Sequence, residues 1–436
     1  MNVDQSSKKS VPRRQVLKLG GLAAGSALTP YFWSSARAQE QSKNDRPIAG
    51  AIGMGGRAGG INRQAREFCD FAAVCDVDRN RAQGALGLTG GKGKAYTDYR
   101  ELLERPDIDA VTIATPDHWH AKIAIEAMRA GKDVYCEKPL TLTIDEGKQI
   151  CRVVKATGRV LQVGTQQRSE WGLYFLKALA LIRNGRLGKI HRVTLPMHVA
   201  PTGGPFNTSP PPAHLDWERW LGQAPLVEYT PKRCHGKFRW WYEYAGGQLT
   251  DWGAHDIDIA HWGLGMDDTG PTTIDAKGTL PNIPNGYNTA SDYHITCACP
   301  GDVELIIHST DDGESVGVMF EGDKGRIFVN RAGVRGKPVE QLADDPLPED
   351  ALVKVYGGRQ PGNHMRNFFE CARDRVQPIS DVFSHHRAVT TCHLANISLR
   401  LGRKLQWDPV KEQIVGDEEA NRWLSRTPRA GYEIEA

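Results

Sequence analysis

Lys138 stands in Cys136-Glu137-Lys138-Pro139, directly after the strand-like run Asp133-Val134-Tyr135. Ligands of open α/β sheets lie in the crevice beyond the carboxyl ends of the strands, so an ammonium held there can meet both a nicotinamide and its substrate. The plainer alternative is an exposed surface lysine. Further along, Asp251-Trp252-Gly253-Ala254-His255-Asp256-Ile257-Asp258 reads as a helix beginning near Thr250 or Asp251. Helical spacing brings Asp251, His255 and Asp258 onto one stripe. Such a stripe suits an imidazole base whose charge or tautomer is tuned by a carboxylate. A solvated helix face and a divalent-cation site are the competing readings. No second histidine sits at matching spacing, so no metal is expected.

These residues need elements to position them. Ile48-Ala49-Gly50-Ala51-Ile52 reads as a short apolar strand running into Gly53-Met54-Gly55-Gly56-Arg57-Ala58, a Gly-x-Gly-x-x-Ala turn. Gly53 permits the tight turn, Gly55 lets the backbone approach a pyrophosphate, and Ala58 is small enough for close helix packing, with helix amides facing the phosphates. A second strand, Phe71 to Cys75, ends in Asp76, placed to accept both hydroxyls of an adenosine ribose and to repel a 2'-phosphate. NAD is therefore expected over NADP, although Arg79 and Arg81 could hold a phosphate. Ala110 to Ala114 delivers Thr115-Pro116-Asp117-His118-Trp119-His120 ahead of a helix over Ala121 to Ala130. His118 and His120 either hydrogen-bond the nicotinamide ribose or cap and pack at the helix start. A last strand, Val160 to Gly164, brings Gln166 to the cofactor side with Glu137, and Arg168 to the substrate side.

In the second half, Arg239, Trp240 and Tyr244 lie in an aromatic stretch with Trp217, Trp220, Trp241 and Tyr242. Aromatic faces mixed with charged groups suit sugars, and any one of these rings equally fits a core. Alternation in Tyr293 to Cys299, Val303 to His308 and Val316 to Phe320 predicts antiparallel strands of an open sheet, a pocket wall or a subunit contact.

The chain of 436 residues carries a net charge of +3 and no basic run interleaved with aromatics, so no nucleic-acid partner is expected. Residues 1–38 read as an export signal: Arg13-Arg14 precede the run Val16 to Gly25, and Ala36-Arg37-Ala38 offers a cleavage site. The paired arginines resemble the twin-arginine route, which exports folded proteins; a periplasmic mature protein with no membrane span follows. Nine scattered cysteines, with no Cys-x-x-Cys, do not read as a disulfide scaffold. The expected architecture is α/β: a Rossmann dinucleotide-binding domain over residues 46–167, then an α+β domain over 168–436 with an open, mainly antiparallel sheet that binds substrate and joins subunits into a dimer or tetramer.

Together, Gly53 to Arg57, Thr115 to His120, Glu137-Lys138-Pro139 and Asp251 to Asp258 resemble, in order, the motifs of the Gfo/Idh/MocA oxidoreductases, over roughly residues 46–408. Asp216 to Gly222 and Gly362 to Phe368 resemble the exported branch of that family. The resemblance implies that Lys138 contacts the reacting hydroxyl, His255 takes or returns its proton, Asp251 orients the imidazole, and Arg168 and Asp258 hold substrate hydroxyls. It implies a periplasmic oxidoreductase that passes a hydride between a sugar or cyclitol carbon and NAD. Two other readings stand beside it: a redox-neutral enzyme that cleaves or epimerises glycosides, and a sugar-binding protein without turnover. Because an exported nucleotide-binding fold must collect its cofactor before export, NAD is expected to be held tightly and restored in a closed cycle.

Overall fold

Six short apolar strands, β1 (Ile48–Ile52), β2 (Asp70–Cys75), β3 (Lys94–Tyr96), β4 (Ala110–Ile113), β5 (Asp133–Cys136) and β6 (Leu161–Val163), form one sheet in the order β3-β2-β1-β4-β5-β6. Every neighbouring pair is parallel. The computed structural model describes residues 46–435, so the twin-arginine segment lies outside the described residues. β4 and β5 are buried at every position because helices cover both sides of the sheet. Ile113 and Val134 face one core, and Ala110 and Tyr135 face the other. The strand order reverses between β1 and β4, which opens a crevice at their carboxyl ends.

The helix Gly56–Ala65 follows β1, with Gly55 as an N-cap that supplies no side-chain acceptor. Its first amides are left for another partner. After β4 the helix spans Asp117–Arg129 and so begins earlier than Ala121. Pro116 takes the N-cap position, which puts His118, Trp119 and His120 inside the first turn. Low helix propensity of these ring-bearing residues hid that turn in the sequence.

The second sheet contains β7 (Ile190–His198), β8 (Thr273–Thr279), β9 (Asp292–Cys299), β10 (Val303–Thr310), β11 (Val318–Gly322), β12 (Gly325–Asn330), β13 (Gly333–Arg335), β14 (Leu405–Asp408) and β15 (Gln413–Ile414). They lie in the order β13-β12-β11-β7-β10-β9-β8-β14-β15. All pairs are antiparallel except β7 with β10, where Val193 stands opposite Leu305. Alternation sets the faces: Tyr293, Ile295, Cys297 and Cys299 of β9 point into the core, while His294 is exposed. That core also takes Phe175, Ile257 and Val389 from three helices. Each fully buried Ile or Phe here contributes about 1.5–3 kcal/mol.

The chain then returns to the first sheet. Helix His364–Asp374 sets Met365 and Phe368 against Ala51, Ile61 and Tyr135. All nine cysteines are free. No helix of the described residues is long and apolar enough to cross a membrane.

Candidate active site

A cavity of about 590 Å³ opens where β1, β2, β4 and β5 end, lined on one side by Gly53, Gly55, Gly56 and Asp76. Gly53 has φ +82°, and a Cβ there would lie 2.7 Å from the Ala114 carbonyl carbon, so only glycine fits this turn. The free amides at the start of Gly56–Ala65, reached without an intervening Cβ at Gly55 or Gly56, form a cradle that fits a pyrophosphate. Asp76 is held in place by two amides: Met54 N–H donates to Oδ2 (2.7 Å) and Asp78 N–H to Oδ1 (2.9 Å). Burial raises the pKa of this carboxyl against those hydrogen bonds. Each oxygen keeps a lone pair for a ribose hydroxyl. The residues present therefore fit a dinucleotide.

Glu137 links this loop to Lys138. Its Oε1 accepts from Arg57 Nε (2.9 Å) and from Gln166 Nε2 (3.0 Å). Thr115, Pro116, Arg57, Gln166 and His120 also border the cavity, whereas Met54 acts through its amide and Ala58 is buried against the sheet. The two histidines serve packing. His118 Nε2 lies 3.0 Å from the Trp220 carbonyl, away from the cavity. His120 has both ring nitrogens on carbonyls, Pro139 at 2.7 Å and Thr115 at 2.9 Å. His120 has no free ring nitrogen, and the unpartnered Nδ1 of His118 is buried away from the cavity wall.

On the opposite wall, Lys138 donates from Nζ to Asp251 Oδ1 (2.7 Å) and also to the Asp251 carbonyl. Arg239 Nε donates to the same Oδ1 at 3.1 Å. Burial pushes the Asp251 carboxyl up, but the two cations outweigh it and hold the pKa at about 2. The short helix Gln248–Asp251 leads through Trp252, whose backbone stays helical (φ −88°, ψ −34°), into Gly253–Leu264, yet the residues of the stripe meet different partners. Asp251 is hydrogen-bonded to Lys138 and Arg239 rather than to His255. It positions the lysine, not the imidazole.

His255 borders the same cavity, and its buried Nδ1 has no hydrogen-bond partner among the described residues. Burial, reinforced by the nearby Lys138 charge, lowers its pKa well below 6.5 and leaves a neutral ring. The third member of the stripe is elsewhere. Asp258 takes a two-pronged contact from Arg168, Nε to Oδ2 at 2.8 Å and Nη2 to Oδ1 at 2.7 Å. Their side chains are 0% and 3% exposed, and neither borders the cavity. The expectation that they hold substrate hydroxyls is thus corrected: each side chain holds the other. Separation of Asp251, His255 and Asp258 also breaks up the three-ligand cation site weighed above.

The aromatic stretch is corrected likewise. Tyr244 is fully buried, Trp241 nearly so, and Trp240 packs against the same cluster, so Arg239 and Trp220 are what that stretch brings to the cavity. Sequence reasoning missed Asp117, Trp171, Trp252, Arg331 and Tyr432, which all line it. Asp117 sits inside the Thr-Pro-Asp motif and had a local signal: burial lifts its pKa to about 8. Trp171 and Arg331 come from distant segments and had none.

The family model described as an oxidoreductase NAD-binding Rossmann fold (Gfo/Idh/MocA) matches residues 48–165. Its companion, the C-terminal alpha/beta domain of the same family, matches residues 204–434. A Glycosyl hydrolase family 109 protein of Shewanella pealeana is 32% identical over 205 residues, 41% of this chain and 44% of that protein. The chain thus spans about half the length of several curated relatives it matches. The scyllo-inositol 2-dehydrogenase (NAD(+)) of Bacillus subtilis is 29% identical over 354 residues, 79% of this chain and 91% of that one. In fold, the chain is similar to the crystal structure of myo-inositol 2-dehydrogenase from Lactobacillus plantarum, with a TM-score of 0.58 and 19% identity over 83% of this chain and 99% of the other. With both halves of the chain matched, and with the glycine loop and the Glu-Lys-Pro turn meeting at one cavity, the protein belongs to the Gfo/Idh/MocA oxidoreductase family and carries its NAD-binding Rossmann fold.

Proposed function

We propose that the protein is an NAD-dependent oxidoreductase of a sugar, sugar derivative or cyclitol, with Lys138 and His255 at the reacting alcohol. The observation that carries this reading is the meeting, in one cavity, of the Asp251-held Lys138, the neutral His255 and the uncapped glycine-rich helix start. When bound, NAD supplies the acceptor for the hydrogen removed from carbon. Lys138 donates a hydrogen bond to the substrate oxygen and stabilises negative charge that develops there. Asp251 and Arg239 keep the ammonium aimed. His255, neutral because it is buried beside Lys138, accepts the hydroxyl proton.

NAD is the cofactor we assign, because a carboxylate at Asp76 repels a 2'-phosphate. Asp76→Ala is expected to weaken NAD binding and to narrow the gap to NADP. Titration of apoprotein with both cofactors checks this, and tighter NADP binding by the unmutated protein would overturn it.

The reading includes export by the twin-arginine route to the periplasm, a cofactor acquired before export and held through many turnovers, and assembly into a dimer or tetramer through the second sheet, to be checked by light scattering. Slow release is supported by Tyr432, which lines the cavity edge-on to Trp119 at 5.7 Å. Its segment is tied down by Arg429 Nε to the Gly222 carbonyl (2.8 Å) and Lys122 Nζ to the Glu433 carbonyl (2.7 Å).

Similarity to a glycosyl hydrolase family 109 protein favours a second reading, in which a sugar carbon is oxidised, a neighbouring bond is eliminated and the carbon is reduced again. One experiment serves both. Protein dialysed extensively and then assayed on aryl glycosides without added nucleotide should retain its NAD. Glycoside turnover under these conditions selects the redox-neutral cycle. Complete loss of NAD, with activity restored only by stoichiometric fresh cofactor, would return the protein to the ordinary dehydrogenases.

A further inference from the structure

The cavity's lysines and arginines are nearly all paired. Lys138 and Arg239 share Asp251, Arg57 holds Glu137, and the remaining lysine and arginines of the lining each have a carboxylate within 4.0 Å. Arg331 is the exception among the described residues. It enters from the turn between β12 and β13, a turn closed by Ala332 N–H donating to Asn330 Oδ1 (2.9 Å). Its guanidinium lies over two tryptophan rings, 4.3 Å from the centroid of Trp171 and 4.6 Å from that of Trp252. Its buried Nε has no hydrogen-bond partner. Trp252 stands between Asp251 and His255 in sequence and packs against the His255 ring at 6.3 Å. The pair of rings therefore adjoins the reacting wall.

Backbone strain is stored at the other ring. Trp171, Gly172 and Leu173 have φ of +53°, +62° and +57°, a left-handed run that costs glycine nothing but that Trp171 and Leu173 adopt only against side-chain crowding. Strain of this kind persists where the surroundings impose a geometry, and it clusters at ligand sites. Here it presents an indole face to the cavity and to Arg331. Burial disfavours a cation without a counter-ion, and the carboxyl with the largest pull on Arg331, Asp256, lies beyond 4 Å, with Oδ1 accepting from Gln167 Nε2 (2.9 Å) and Oδ2 unpartnered.

We propose that Arg331 anchors a carboxylate of the substrate, so that the enzyme acts on an acidic sugar such as a uronate or aldonate rather than on a neutral one. The proposal rests on the oxidoreductase reading above. Two aromatic rings hold the guanidinium in place, and none of its nitrogens is engaged by a carboxylate among the described residues, so its fork of donors is available to a planar, two-pronged acceptor, the partner arginine binds best. Bound there, the acid neutralises the unpaired cation and sets the orientation of the sugar beside Lys138 and His255.

The test uses the NAD-loaded full protein. Binding of D-glucuronate, D-galacturonate and D-gluconate is compared with D-glucose, D-galactose and glucose 6-phosphate by quenching of tryptophan fluorescence, in the unmutated protein, Arg331→Gln and Arg331→Lys. At least one acid should bind on the order of tenfold or more tightly than its neutral counterpart. Arg331→Gln should erase that preference, and Arg331→Lys, which keeps charge but not the fork, should retain part of it. NAD affinity should be the same in all three proteins. Equal binding of acids and neutral sugars, a preference that survives in Arg331→Gln, or tighter binding of glucose 6-phosphate than of every acid overturns the proposal. Weakened NAD binding in Arg331→Gln also overturns it, since the residue would then hold the cofactor. Failure of the unmutated protein to bind NAD would instead defeat the oxidoreductase reading.

Discussion

Replacing His255 with alanine is expected to lower turnover by about 10²- to 10⁴-fold, the contribution of a proton-transfer group, and to leave NAD bound. The imidazole borders the cavity at the Lys138 wall, while the phosphate cradle is built from the backbone at Gly53 to Arg57. Lys138→Ala has an effect of similar size, because the oxygen that changes charge loses its donor. Asp251 remains ionised in that variant through Arg239 at 3.1 Å, so the change is confined to the ammonium. Steady-state kinetics with parallel cofactor titration checks both variants, and near-full activity on the true substrate would refute the assignment. A pH profile adds an independent sign. The His255 pKa is lowered, so its base form is present above that lowered value, and kcat/KM should not fall as the pH drops through 6.5. An acid limb at 6.5 would mean that a different group is the base.

Asp258→Ala is expected to be the most destabilising single change named here, at about 3–5 kcal/mol, because it strands Arg168 in the interior without its partner. Arg168 is 3% exposed; the Ile379 carbonyl at 3.0 Å is its one other hydrogen-bond acceptor among the described residues, and Asp267 at 3.9 Å, itself 48% exposed, is a weaker counter-charge. Thermal melting should show a large fall in Tm. Removing both charges with apolar residues of similar volume, Arg168→Met with Asp258→Leu, should recover much of the loss. The outcome separates two roles that the sequence left superimposed. Residues that hold substrate hydroxyls would raise KM and leave Tm almost unchanged.

The parts of the site that could be read directly are those made by contiguous chain. Gly53 to Ala58 follows a strand and opens a helix, so its phosphate-facing geometry depends on neighbours within one turn. Asp76 and Lys138 are likewise the residues at or just beyond strand ends, and a parallel sheet places such positions on one rim. The two-sheet architecture was legible for the same reason. Runs of mostly buried residues mark β1, β2, β4, β5 and β6, whereas the short β3, Lys94-Ala95-Tyr96, had no such run and was not read; strict alternation marks β9 and β10.

Where the reading failed, the missing quantity was a partner far along the chain. Periodicity places Asp251, His255 and Asp258 on one stripe, but it does not show which cation each carboxylate will meet. Asp251 meets Lys138 across 113 positions, and Asp258 meets Arg168 across 90. A carboxylate in a desolvated interior is claimed by whichever cation the fold delivers to it, since an unpaired buried charge costs several kcal/mol. The aromatic stretch has the same cause, because Trp241 and Tyr244 are equally able to fill a core or face a sugar, and packing put them in the core. Sequence alone thus determined the nucleotide fold, its glycine cradle and the lysine at the rim, all set by local backbone geometry. The tertiary structure decided which charges neutralise one another and which, like Arg331, are left facing the cavity, because that choice depends on desolvation by residues that no local pattern connects.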